Sequence, residues 1–93
     1  MDTEFVDNPD HHRYELRSGD QLLGFIDYRL HGDVIRLIHT EVPPEFGGHG
    51  HASTLARSAL DDARARGLQV QPDCPYVRSY IEKHPGYADL VAA

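Results

Sequence analysis

The sequence predicts a mixed α/β fold of the α+β kind: an antiparallel meander leads into a β-α-β unit with splayed parallel strands, and a C-terminal helix follows. Three observations carry the prediction. Runs rich in β-branched residues, "QLLGFIDYRL" and "VIRLIHTEV", are separated by the turn "HGD". Beyond the glycines of "FGGHG" the apolar period becomes that of a helix. A further apolar run begins about 25 residues after the strand ending at Val42, enough for a helical crossover to a parallel neighbour.

The elements follow in order. Residues 1–10 are polar and acidic, and flexibility is expected there. "RYELR" (13–17) reads as a short strand, and "SGD" turns the chain into the strand 21–30. In the strand 34–42, strict alternation puts Val34, Arg36, Ile38, Thr40 and Val42 on one face and Ile35, Leu37, His39 and Glu41 on the other. Pro43 and Pro44 end that ladder because neither has an N–H to donate. Ala52, Leu55, Ala56, Ala59, Leu60 and Ala63 recur at steps of three and four, giving a helix with a small apolar stripe, and Gly67 stops it. "LQVQPD" (68–73) is the second parallel strand. Pro75 suits the first position of a final helix, in which Tyr76, Val77, Tyr80, Ile81 and His84 share a face until Pro85 breaks it. Both parallel strands therefore end at prolines. If they splay there, a crevice opens at their carboxyl ends, where sheets of this kind bind ligands.

Composition narrows the function. With 93 residues the chain is expected to form one domain, residues 1–93. Apolar residues at 40% and charged residues at 26% suit a soluble globular protein, and no apolar run is long enough to span a bilayer. A membrane partner is not expected. The acidic start lacks the basic and apolar regions of a secretory signal, and a single cysteine excludes an internal disulfide, so a cytoplasmic location is expected. A net charge of −6 argues against nucleic acid as a partner and accommodates an amine.

The junction "EVPPEFGGHGHASTLARSAL" (41–60) is the most informative stretch. A helix begins with about four N–H groups that lack partners, and no Ser, Thr, Asp or Asn precedes this one to cap them. Gly47, Gly48 and Gly50 let the backbone turn and approach a ligand, while the positive helix end favours an anion such as a phosphate or pyrophosphate. Ser53 and Thr54 add hydroxyl donors. A glycine loop solvated by water is the alternative from these residues alone.

Context makes the signal more specific. "HTEVPPE" (39–45) runs into the glycine loop, "CPYV" (74–77) starts the last helix, and "HPGYADLV" (84–91) follows. In this combination the chain resembles the GNAT superfamily of acyl-CoA-dependent N-acetyltransferases, in its minimal-size branch, over roughly residues 13–91. The resemblance implies a V-shaped sheet with acetyl-CoA (coenzyme A) between the splayed strands. It assigns the pyrophosphate to backbone N–H groups around Gly47, Gly48, His49, Gly50, His51 and Ala52 with help from Ser53, and the pantetheine amides to backbone near Thr40 and Val42. The chain departs from the superfamily pattern at Glu45, where Gln or Arg is usual, and at Gly47 and His49, where a basic residue is common.

Acyl transfer to an amine needs a proton acceptor for the amine and a proton for the departing sulfur. Glu41 is a candidate base, directly or through a water, with His39 beside it; a solvated Glu41 and a packed His39 are the alternatives. Tyr80, in "SYIEKHPGY", resembles the superfamily tyrosine that protonates the leaving thiolate; core packing is its alternative, and packing is expected for Tyr76 and Tyr87. Cys74 at a helix N-terminus is a candidate acyl-accepting nucleophile, with Asp73 opposing its ionisation. The pairs His49/His51 and His11/His12 lack the spacing of a metal site, and none is expected. The function expected is acetyl-CoA-dependent N-acetylation of a primary amine, on a small molecule or a lysine or N-terminus of a peptide. A non-catalytic acyl-CoA-binding or regulatory module is the alternative.

Overall fold

The computed structural model describes residues 2–92. One five-stranded sheet runs in the spatial order β1 (Glu4–Asn8), β2 (Arg13–Ser18), β3 (Gln21–His31), β4 (Val34–Glu41) and β5 (Gln69–Pro72). β1 to β4 pair antiparallel as a meander, and β5 lies parallel to β4. Helix α1 (His51–Ala65) makes the crossover between the parallel strands, and α2 (Pro75–Lys83) follows β5. No helix is long and apolar enough to cross a membrane among the described residues.

The α1 stripe packs as its spacing requires. Leu55, Ala56, Ala59, Leu60 and Ala63 are buried against Tyr14, Leu16, Ile26, Tyr28, Ile35 and Leu37 of the sheet, and α2 adds Val77, Tyr80 and Ile81 to the same core. Small residues on α1 bring its axis close to the strands. At Gly24 the approach is closest, since a Cβ there would meet Glu41 O at 2.9 Å and Leu55 Cδ1 at 3.0 Å. Both helices thus cover one face of the sheet. The opposite face carries Arg13, Glu15, Phe25, His39 and Glu41, with the Arg13 guanidinium 4.8 Å from the centre of the Phe25 ring.

The structure departs from the sequence expectations in four places. Residues 4–8, within the segment expected to be flexible, form the edge strand β1. Contacts distant in sequence hold it: Phe5 stacks on Tyr14 at 5.0 Å, and the Tyr28 hydroxyl donates to Asp7 at 2.5 Å. Across the same corner the Tyr14 hydroxyl donates to Asp62 of α1 at 2.6 Å, and Arg66 pairs with Asp62 at 3.2 Å. Burial, reinforced by these carboxylates, raises both phenols above their ordinary pKa.

The second departure lies in β4. Asp27 faces His39 and Tyr28 faces Leu37, so two steps on β4 match one on β3 and Ile38 is the extra residue of a bulge. Alternation is broken there. Ile35 and Leu37 stay on the covered face, but His39 and Glu41 move to the open face, and Thr40, opposite buried Ile26, joins the covered one.

The third departure is the end of the chain, where a 3-10 turn at Pro85–Leu90 leads to a parallel bridge between Val91 and Val70. The fourth is Tyr76, which is 40% exposed instead of packed with Val77.

Candidate functional site

The β4 to α1 junction is built by its prolines and glycines. Pro43 and Pro44 close a single 3-10 turn, with Phe46 N donating to Pro43 O and Gly47 N to Pro44 O. Gly48 and Gly50 then take φ of +81° and +74°, a left-handed backbone that residues with a Cβ rarely adopt, and nothing lies within 4 Å of where a Cβ would be. The first helical bond is Thr54 N to Gly50 O, and no side chain caps the helix. Among the described residues, the backbone N–H groups from Gly48 to Ser53 therefore have no acceptor. A run of donors at the positive end of a helix of 15 residues suits an anion. Glu45, the carboxylate nearest the loop in sequence, is exposed.

The parallel ladder stops short of this loop. β4 and β5 are in register from Val34/Gln69 to Leu37/Pro72, and the Cys74 N–H closes the pairing on Leu37 O at 2.9 Å. Beyond Leu37, β4 continues to Glu41 with β3 alone as its ladder partner. β5 ends at Pro72 and Pro75 starts α2, so the ladder between the parallel strands stops at Leu37, while Thr40 and Cys74 remain in contact beyond it.

The bulge at Ile38 divides the candidate residues between the two faces of this opening. On the covered face, Thr40 Oγ1 lies 3.3 Å from Cys74 Sγ, and Cys74 is 3% exposed. Asp73, expected to oppose a thiolate, is already engaged: Gln71 and Arg36 hydrogen-bond it, and both hold its carboxyl below the usual carboxylate range. On the open face, His39 Nε2 lies 3.2 Å from Glu41 Oε1, with both side chains 56% exposed. Phe25 sits beside them, its ring edge toward His39.

Tyr80 is not grouped with either set. Its ring stacks on His84 at 4.0 Å, and it lines a cavity with Ser53, Tyr76, Ser79, Lys83 and His84 between α1 and α2. No side chain hydrogen-bonds its hydroxyl among the described residues. His49 and His51 lie on the other flank of the loop, rings 5.7 Å apart, in a cavity of about 260 Å³ with Gln21, Leu23 and Phe46. Among the described residues no group of three or more His, Cys, Asp or Glu side chains could hold a metal ion.

Sequence reasoning missed the Thr40 side chain, Ser79 and Lys83. Ser79 and Lys83 are one turn apart on α2, a legible spacing, but their place opposite Ser53 depends on how α2 packs on α1.

Comparison with known proteins adds the following. The sequence profile of the family described as GCN5-related N-acetyl-transferase matches residues 13–90. Protein NATD1 of chicken (Gallus gallus) is 36% identical over 52 residues, which is 56% of this chain and 47% of that protein. Protein NATD1 of human (Homo sapiens) matches at the same 36%, covering 46% of its length, and that of zebrafish (Danio rerio) at 30% over 59 residues. The chain spans about half the length of the curated relatives it matches. A GCN5-like protein from Staphylococcus aureus, solved by NMR, superposes with a TM-score of 0.72 at 24% identity, covering 97% of this chain and 88% of the other. At that identity the likeness concerns the fold.

Proposed function

The chain belongs to the GCN5-related N-acetyl-transferase family, and from that membership we propose that it transfers an acetyl group from acetyl-CoA to a primary amine. The single observation that carries the proposal is the run of acceptor-free N–H groups from Gly48 to Ser53, which follows the part of β4 that lies beyond its ladder with β5. These residues fit an acyl-CoA. The loop presents donors and no side chain at Gly48 and Gly50, and the open β4 edge past Leu37 offers backbone groups to an amide-bearing chain.

Acetyl-CoA, when bound, supplies the acetyl group as a thioester. Gly48 to Ser53 would hold its pyrophosphate, the Gly47 N–H being already given to Pro44 O, and Thr40 to Val42 would hold its pantetheine arm. The acceptor amine approaches the open face, which no helix screens, where Glu41, paired with His39, takes its proton directly or through a water. Thr40 and Cys74 form the other wall, where Cys74 Sγ is in hydrogen-bond contact with a hydroxyl and with no basic side chain. A thiol without a base favours direct attack by the amine over an acyl-cysteine route. The Tyr80 hydroxyl, bonded by no side chain among the described residues, is the candidate proton donor to the departing sulfur. An open acceptor side suits a small amine or the lysine or N-terminus of an extended peptide. The unpaired Cys74 suits the reducing cytoplasm.

Calorimetric titration of acetyl-CoA into the protein tests this reading, with Gly48→Asp as the comparison. Micromolar binding that Gly48→Asp removes, followed by thiol release in the presence of amines, is the expected result. Binding without release across the amine panel would assign the chain instead as an acyl-CoA-binding module. Absence of binding by the folded protein would overturn both.

A further inference from the structure

A cavity of about 210 Å³ lies between α1 and α2, lined by Ser53, Tyr76, Ser79, Tyr80, Lys83 and His84. Its chemistry is unusual for this molecule. The chain carries 15 acidic residues against 9 basic ones, yet no carboxylate lines this cavity. Lys83 is the only lysine in the sequence. Arg13, Arg17, Arg36, Arg64 and Arg66 pair with carboxylates; Lys83, like Arg29, Arg57 and Arg78, makes no ion pair among the described residues, and it alone of these four lines the cavity. Two serine hydroxyls stand with it. His84 Nδ1 lies 2.8 Å from the Tyr80 carbonyl oxygen, so Nδ1 carries the proton and donates, and the stacked Tyr80 ring fixes the imidazole plane.

Ser53 is shared with the glycine junction. It sits in the first turn of α1, where its own N–H lacks an acceptor, so the cavity adjoins the donor run. The loop itself contains no Arg or Lys, and Glu45 stands close by in sequence. Neutralising a nucleotide's phosphates there needs a cation from elsewhere, and lysine is suited to phosphate as a mobile point charge.

We infer that this cavity is a phosphate subsite for the nucleotide end of the acyl donor, with Lys83 as its cation and Ser53 and Ser79 as hydroxyl donors. The inference rests on the proposed acyl-CoA reading. It names α2, together with the loop, as the source of nucleotide affinity. The phosphate bound is either part of the pyrophosphate or the 3′-phosphate.

The test is calorimetric titration of acetyl-CoA and of 3′-dephospho-acetyl-CoA into the wild type, Lys83→Gln and Arg29→Gln. Among the described residues the Arg29 side chain bonds only the carbonyl of Tyr28 and does not line the cavity, so Arg29→Gln makes the same change in net charge elsewhere. Lys83→Gln is expected to weaken acetyl-CoA binding about tenfold and to lower the slope of log Kd against log salt by about one, with Arg29→Gln within about twofold of wild type. If the loss disappears with the dephospho compound, the cavity holds the 3′-phosphate; if it persists, it holds the pyrophosphate. Equal binding by Lys83→Gln and wild type, while Gly48→Asp fails to bind, overturns the subsite and leaves the loop reading intact. Failure of the wild type itself to bind overturns the acyl-CoA reading, and the subsite falls with it.

Discussion

Thr40 Oγ1 and Cys74 Sγ meet at 3.3 Å beyond the end of the β4/β5 ladder, joining residues 34 apart in sequence. The contact exists because the Ile38 bulge turns Thr40 to the covered face, and the Cys74 N–H bond to Leu37 O holds the start of α2 against it.

Cys74→Ala should therefore remain active. Under direct attack, kcat/KM with any accepted amine falls by less than about tenfold, and stability by about 1 kcal/mol for the small cavity left. Intact mass of the wild type incubated with acetyl-CoA alone should show no added acetyl group. An acetylated Cys74 together with a loss beyond about a hundredfold in Cys74→Ala would establish the covalent route instead.

Glu41 is exposed and contributes little to packing, so its substitution isolates chemistry. Glu41→Gln should lower kcat about a hundredfold while leaving acetyl-CoA binding within about twofold, which steady-state kinetics and calorimetry separate. An unchanged kcat would remove Glu41 from the mechanism.

Gly24→Ala tests how closely α1 and the end of β4 approach β3. The added methyl would meet the Glu41 carbonyl oxygen at 2.9 Å, and a backbone atom cannot rotate away. The expected cost is about 1–3 kcal/mol, read as a lower urea midpoint, with acetyl transfer reduced because the Glu41 segment must shift. Wild-type stability would show that β4 yields freely at this point.

Glu15 carries the acid sensitivity of the open face. Its side chain is 4% exposed; burial alone would raise its pKa, but hydrogen bonds from Arg13, Asn8 and Arg17 outweigh that and hold it below the ordinary value. The folded value is depressed, so this stabilisation is present above about pH 4.5 and is lost as pH falls through the folded value. Melting temperatures of Glu15→Gln should lie below wild type at pH 7 and converge with it as the pH falls below the depressed folded value. A constant gap would mean that the contribution is packing alone.

The parts of this molecule that depend on local periodicity were legible in its residues. Leu55, Ala56, Ala59, Leu60 and Ala63 announced α1, Pro43 and Pro44 announced the end of β4, and the uncapped glycine junction announced its donors. The bulge was not legible, because one unpaired residue has no compositional mark, and alternation assigned Thr40, His39 and Glu41 to the wrong faces as a result. β1 was missed for a different reason. Its acidic, polar segment is held by Tyr14 and Tyr28, which approach it only once β2 and β3 have paired. The Lys83 cavity depends on the packing of two helices, which neither helix encodes alone.

The bridge from Val91 to Val70, extended by the Ala92 N–H to Val70 O at 2.8 Å, has a consequence for self-association. It occupies the outer side of β5 at its buried residue, so an incoming strand finds no uninterrupted ladder there. At the other margin β1 is open, but it presents Glu4 and Asp7, and a second copy docked edge to edge would bring like charges together. Growth of the sheet is thus hindered by a backbone bridge on one side and by the carboxylates of β1 on the other.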